Sequence, residues 1–352
     1  MTLLDPPTTT APQVPEARGA VSHAVRSRLL DGAERLPDED VVALCDPYGE
    51  DLHLALHLCY EQHYRGHTGV PDTFEWDPVL LRVRGLLEHR FESALRYDCR
   101  DAPEVEEALS LLLVEPADGV GVSRFLLAEG ELRTLREYAA LRSVQQLKEA
   151  DPHLWVIPRL RGRAKAAMVA VEYDEYGCGR AERMHSRLYA DLMTELDLDP
   201  SYGRYVDVAG AETLACSNLM SLLGLHRRLR GALVGHFAVV ETTSPPAAAR
   251  LAEAMRRAGA GPAAARYFDE HVEADAVHEQ LVRHEVVGGL LADEPELAPD
   301  VAFGIAATCL LDDRLGDRLV DAWSRGESAL RLPADGGDPL PPRACGERRS
   351  GP

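Results

Sequence analysis

Apolar residues along this chain recur at spacings of three and four far more often than they alternate, which is the mark of amphipathic helices rather than strands. In Asp51–Tyr64, Leu52, Leu56, Cys59 and Tyr60 follow one another at steps of 4, 3 and 1. In Pro78–Leu95, Asp77 can cap the helix, and Pro78 suits a first turn, where a missing N–H costs nothing. The same periodicity predicts helices over Ala128–Glu149, Lys165–Tyr176, Ala181–Leu196, Ala211–Glu241, Ala247–Ala258, Pro262–Gly288 and Pro299–Gly326. Asp151-Pro152, Asp199-Pro200, Pro245-Pro246, Gly259 and Gly261 punctuate them. β-Branched alternation is rare, and Ala, Leu, Glu and Arg dominate. The expected fold class is all-α: a seven-helix core over 128–332, preceded by an N-terminal helical arm over 21–127. Residues 1–20, rich in Pro and Thr, and 333–352, dense in Pro, Gly and charge, are expected to be disordered tails.

Composition narrows the partners. Fifty-eight acidic residues against 38 basic ones leave a net charge of −20, which disfavours nucleic acid and anionic membrane surfaces as partners. Seven cysteines are scattered, odd in number and without a CxxC pair, so neither a disulfide framework nor a thiolate zinc site is indicated, and a reducing cytoplasm is expected. The N-terminus lacks a basic segment followed by an apolar one, and no run approaches the 18 apolar residues of a membrane span. A small molecule or another protein is the expected partner.

Candidate chemistry concentrates in four places. In RYFDEHVEADAVHEQLVRHEVV (266–287), His271, Asp275 and His278 stand at i, i+4 and i+7, so they project within roughly 40–60° of one another on one helical stripe. Two imidazoles and a carboxylate so placed form a metal-ligand comb that suits iron or manganese. A solvated face would use the same residue types, as Glu273, Glu279 and His284 illustrate. In VEYDEYGCGRAERMHSRLYADLM (171–193), Glu172, Glu175 and Glu182 precede His185 on what reads as one helix loosened at Gly177 and Gly179. Glu182 and His185 share a face at i, i+3; Glu175 and His185 differ by about 80° in a regular helix, a gap that a bulge at the glycines would close. Spacing leaves Glu175 and Glu182 as competitors. Glu241, ending HFAVVE, and Glu149, closing LRSVQQLKE, read as isolated helix-end glutamates.

Taken in order, LKEADPHLW (147–155), EYDEYGCGRAERMH (172–185), the isolated Glu241 and HVEADAVH (271–278) resemble the heme-oxygenase-like diiron oxygenases. YEQHYRGHTGVPDTFEWDPVLLRVRGLLE (60–88) is similar to the N-terminal part of the iron-containing redox enzymes of the same superfamily. The resemblance spans about residues 50–325 and is specific because four separate motifs recur in order. It implies a heme-oxygenase-like bundle whose metal ligands are Glu149, Glu175, His185, Glu241, His271, Asp275 and His278. It further implies two ferrous ions, with manganese as an alternative, O2 as co-substrate, an external electron donor and a small amine or amino-acid substrate; a homodimer is compatible with it. The third histidine, His271, is characteristic of the N-oxygenating branch, which points to oxygenation of an amine or guanidine in specialised biosynthesis. Some such enzymes carry a further cupin domain; here the chain is expected to end in a tail, so no N-nitroso-forming step is expected. Four carboxylates and two ferrous ions cancel as −4 and +4, which makes burial tolerable; nothing favours a heme axial site.

Other residues draw the eye. Glu61 and His63, near His53, His57 and His67, sit on an amphipathic helix, and Glu61 is the reserve ligand to Glu149. Arg82, Arg84 and Arg159 are candidates to clamp a substrate carboxylate. Cys178, between two glycines, has no histidine placed to activate it. Two other readings compete with N-oxygenation: an oxidase that desaturates or cleaves a carbon skeleton, and a non-catalytic helical protein that only holds metal.

Overall fold

The computed structural model describes residues 11–115, 119, 121–331 and 340, and all of their side chains except those of 273–277. The chain is all-α. It runs α1 (Ala20–Asp31), α2 (Glu39–Ala43), α3 (Glu50–Glu61), α4 (Pro78–Asp98), α5 (Val105–Leu112), α6 (Val122–Glu129), α7 (Leu132–Gln146), α8 (Asp151–Leu154), α9 (Gly162–Glu175), α10 (His185–Glu195), α11 (Ala211–Leu225), α12 (Arg230–Arg257), α13 (Pro262–Leu281), α14 (Gly288–Asp293) and α15 (Ala298–Ser324). No described residue belongs to a strand, and no described helix is long and apolar enough to cross a membrane.

α12 is the axis around which the rest is arranged. From Gly231 to Val239 it is buried on every side, and it packs on α13, α15 and α6. Its contact with α15 is backbone to backbone. A Cβ on Gly235 would collide with the Val301 carbonyl, and one on Gly304 with the Ala232 carbonyl. Only glycine lets the two helices approach so closely at this crossing. α3, buried along most of its length, packs on α11, α5 packs on α15 and α6 on α12, so the N-terminal helices lie directly against the core.

Several boundaries differ from expectation. The Pro/Thr-rich start, expected to be a tail up to residue 20, is held against the body from residue 11 onward: Thr68 N–H donates to Pro12 C=O at 2.8 Å, and Arg18 Nη1 meets Glu50 Oε2 at 2.5 Å. Ala211–Glu241 is not one helix, since the chain breaks at 226–229 and restarts as α12. α12 then continues through Pro245 and Pro246. Each proline removes one N–H donor, from the carbonyls of Glu241 and Thr242 respectively, but burial of Ala248, Leu251, Ala252 and Met255 further along carries the helix on. Glu241 therefore lies mid-helix. The comb helix α13 passes into a wider-turned stretch, Val282–Val287, before α14; such insertions re-aim the residues that follow, and Val282, Val286 and Val287 bury themselves there.

The glycine crossing is testable. Gly304→Ala must push α15 off α12 or strain it, and overpacking of this kind costs about 1–3 kcal/mol. The expected outcome is a lower urea midpoint; an unchanged midpoint would mean that the two helices separate freely.

Candidate metal centre

α9 ends at Glu175 and α10 begins at His185, so the expected single helix with a bulge is replaced by a break. Between them the chain leaves the helical path: Gly177 has φ 66°, Cys178 φ 54° and Gly179 φ 77°. At Gly177 a side chain is excluded twice, by the left-handed backbone and because a Cβ would lie 2.6 Å from the Arg183 carbonyl carbon. The loop folds back on itself and brings the two helix ends together, with His185 Nδ1 at 2.7 Å from Glu175 Oε2. Glu182, the competitor, is exposed on the outside of this loop. Cys178 is also exposed, and the hydrogen bond from its thiol to Asp174 holds its pKa up, the opposite of an activated nucleophile.

Glu149 lies beyond the end of α7, not within the expected helix Ala128–Glu149, in a turn whose next residue, Ala150, has φ 76°. Two side chains aim it: Gln146 Nε2 donates to Oε1 at 3.0 Å and the Tyr267 hydroxyl to Oε2 at 2.9 Å. The reserve candidate Glu61 is taken up elsewhere. Lys148 Nζ lies 2.5 Å from Glu61 Oε1, both side chains being 1% exposed, and the Tyr202 hydroxyl donates to Oε2 at 2.6 Å. Burial works against the charge on Glu61, yet Lys148 beside it brings its pKa down to about 2.

α13 supplies the other two histidines, His271 and His278, and their tautomers follow from their partners. His271 Nδ1 is 2.8 Å from the Tyr267 carbonyl, which can only accept; Nδ1 is therefore protonated and Nε2 offers its lone pair, 3.7 Å from Glu149 Oε1. The His271 and His185 rings lie 4.3 Å apart, centre to centre. His278 Nε2 is 3.2 Å from Asp174 Oδ2, so in the neutral ring Nδ1 offers the lone pair. It stands 3.3 Å from Glu241 Oε2 and 3.9 Å from Glu175 Oε1. A carbonyl or carboxylate behind each ring is the usual support of a metal-binding histidine. Asp275 lies in α13, but its side chain is outside the described ones.

Two groups of donor atoms result, Glu149–Glu175–His185–His271 and Glu175–Glu241–His278, each with its atoms within 4.8 Å of one another. Atoms bound to one ion at about 2.0–2.2 Å are at most about 4.4 Å apart, so each group needs only a small contraction to close on an ion. Mixed imidazole and carboxylate donors without thiolate suit iron. Without an ion the groups perturb one another. Burial opposes the charge on His185, but Glu175 outweighs it and its pKa is raised. Burial likewise works against the Glu149 carboxylate, but with no ion present a second proton on His271, at Nε2, lets that ring hydrogen-bond and charge-pair with it, which holds its pKa below the ordinary range.

Three nearby residues lie outside the ligand set read from the sequence. Glu172, one turn before Glu175 on the same face of α9, is 2% exposed, and neither of its carboxyl oxygens makes a hydrogen bond. Burial first, then Glu175 and Glu241, raise its pKa well above the usual carboxylate value. Asp174 backs His278. Arg142 lines a cavity of about 190 Å³ that also exposes Glu149, Glu175, Glu241 and Asp312. The arginines considered from sequence lie elsewhere: Arg159 caps the carbonyl of Leu225, Arg84 pairs with Glu88, and Arg82 is exposed.

A helical bundle enclosing a histidine–carboxylate cluster defines a class, the non-heme metalloproteins whose donors fit iron. Within that class, the chain belongs to the iron-containing redox enzyme family, whose model matches residues 136–313, about half of its length. Nitrosourea synthase from Streptomyces achromogenes subsp. streptozoticus is 25% identical over 160 residues, 45% of this chain and 34% of that protein. The chain thus spans about a third of the length of that relative.

Glu172 gives the site a pH signature. Its folded pKa is raised, so folding favours the protonated form, and wild-type stability falls as pH rises above the unfolded value of about 4.3. In metal-free protein, Glu172→Gln should unfold at a higher temperature than wild type at neutral pH. The gap should close as pH falls through that value. A gap independent of pH would show that Glu172 is charged in the fold.

Proposed function

We propose that this protein is an O2-dependent diiron oxygenase that N-oxygenates an amine or guanidine nitrogen of an amino-acid-derived substrate. The seven ligands in this reading are Glu149, Glu175, His185, Glu241, His271, Asp275 and His278. The observation that carries it is the sharing of Glu175 between two donor groups: one carboxylate, two oxygens, one facing His185 and the other His278, which is what two adjacent ions require of a bridge. The family membership and the nitrosourea synthase similarity support the same chemistry. Two ferrous ions held here would bind and reductively activate O2, chemistry for which the chain has no groups of its own. The net reaction is R–NH2 + O2 + 2 e⁻ + 2 H⁺ → R–NHOH + H2O, with the electrons taken from an external donor.

The chain's residues have separate duties in this scheme. Tyr267 C=O and Asp174 hold the ring protons of His271 and His278 away from the centre. Gln146 and the Tyr267 hydroxyl keep Glu149 pointing inward. The cavity seats the substrate nitrogen beside Glu149, Glu175 and Glu241, while Leu219, Met220, Val240, Leu251 and Phe268 line it with apolar surface and limit access of bulk water to the reacting end.

Anaerobic iron titration tests the ligand set. Wild type should bind about two ferrous ions per chain, with affinity falling by about 10-fold or more on removal of a ligand. His278→Ala should weaken one ion, Glu175→Ala both, and Glu182→Ala neither. Equal stoichiometry and equal affinity in all four proteins sink the assignment. Aerobic turnover with an amino-acid panel should give products heavier by one oxygen; loss of two hydrogens or chain fragments would instead favour desaturation or cleavage.

A further inference from the structure

The cavity beside the metal centre has a charge pattern that its metal-binding end does not explain. Among its lining residues, Arg142 is the one permanently cationic side chain; Glu149, Glu175, Glu241 and Asp312 are acidic. His153 and His236 are deeply buried, and burial lowers both pKa values, His153 to about 4. Two arginines of this protein close on a neighbouring carboxylate with two bonds, Arg228 on Glu92 at 2.8 and 2.5 Å and Arg250 on Glu115 at 2.9 and 2.6 Å. Arg142 does not. Among the described residues no carboxylate is within ion-pair distance of its guanidinium, although Asp312 lines the same cavity from α15. The Asp312 carboxylate is approached instead by the Cys216 thiol, at 3.8 Å. An arginine fork left open toward a cavity is a receptor for a planar anion.

Position and size narrow the guest. Arg142 is four residues before the end of α7, about 6 Å along its axis, and Glu149 follows three residues after that end. A ligand gripped by Arg142 can therefore present its far end to Glu149, Glu175 and Glu241, which line the same cavity. The cavity, about 190 Å³ in volume, has room for a small molecule.

We infer that Arg142 is the specificity-determining residue that takes the α-carboxylate of a free amino acid, with Asp312 facing its α-ammonium, so that the side-chain nitrogen is presented to Glu149, Glu175 and Glu241. This rests on the oxygenase reading only for what happens to that nitrogen; recognition of the carboxylate stands apart from it. Arg142 acts on the substrate and holds no metal.

Paired probes test it without turnover. Binding of lysine against cadaverine, and of arginine against agmatine, is measured by calorimetry on the anaerobic manganese-loaded protein. Each pair differs in the carboxylate, whose charged hydrogen bonds are worth about 10- to 100-fold in affinity. Wild type should favour the amino acid of at least one pair by that factor. Arg142→Gln should abolish the preference with manganese titration unchanged, and Arg142→Lys should keep part of it. The inference is overturned if wild type binds neither amino acid, if it binds amine and amino acid equally, or if Arg142→Gln retains the discrimination. Discrimination that follows Arg142 while no oxygenated product forms supports the inference and counts against the oxygenase reading alone.

Discussion

Like charges brought together in a low-dielectric interior repel strongly unless something of opposite sign stands between them, and the centre of this bundle gathers Glu149, Glu172, Glu175 and Glu241 into one small region. The surrounding structure is arranged around that difficulty. Glu149 receives two hydrogen bonds and two nearby imidazoles; Glu175 divides its oxygens between His185 and His278; Glu172, with no hydrogen bond, is pushed toward its neutral form. His271 and His278 are oriented from behind by groups that accept their ring protons, which leaves the other nitrogen of each facing the carboxylates. Donor sets so oriented are stable neighbours when a cation lies among them, and this agrees with a family defined by iron.

Holding such a cluster needs a scaffold that does not spread. The backbone contact at Gly235 and Gly304 sets α12 against α15, and Glu241 is carried on the same helix less than two turns after Gly235. The break after Glu175 does the complementary work: a left-handed Gly-Cys-Gly corner turns the chain so that residues ten apart in sequence meet at 2.7 Å. No regular helix would bring them so close. The wide turn of Val282–Val287 follows the comb directly and packs against α9, so the helices that bear Glu175 and His278 also meet just outside the site.

The parts legible in sequence were those governed by short-range periodicity. The all-helical class followed from apolar spacing, and the His271 and His278 pairing from a single heptad on one helix. Matching Glu149, Glu175 and Glu241 to the site required the resemblance to the iron-containing redox enzymes, because lone glutamates at helix ends look like solvated ones. What was misread depended on burial. Pro245-Pro246 reads as a stop, yet α12 continues because its later turns have an apolar face to hide. Gly177 and Gly179 read as a loosened helix, yet their left-handed backbone makes a corner, and at Gly177 a Cβ would meet Arg183. Arg142 and Asp174 had no pattern to reveal them, and Glu172 stood only as one of three glutamates before His185, since their meaning lies in which cavity or ring they face.

The buried pair between Lys148 and Glu61 bears on where this molecule can be cut. Lys148 is the immediate neighbour of Glu149, and its ammonium is neutralised by a carboxylate contributed by α3, far upstream in the chain. The stretch that matches the iron-containing redox enzyme family begins at residue 136 and therefore contains the lysine but not the glutamate. A fragment trimmed to that stretch would keep every proposed ligand but lose both the carboxylate that neutralises Lys148 and the helix that supplies it, so the turn that aims Glu149 would lose that anchor. The smallest autonomous unit of this protein thus extends upstream of its recognisable family segment, at least to the helix that supplies Glu61.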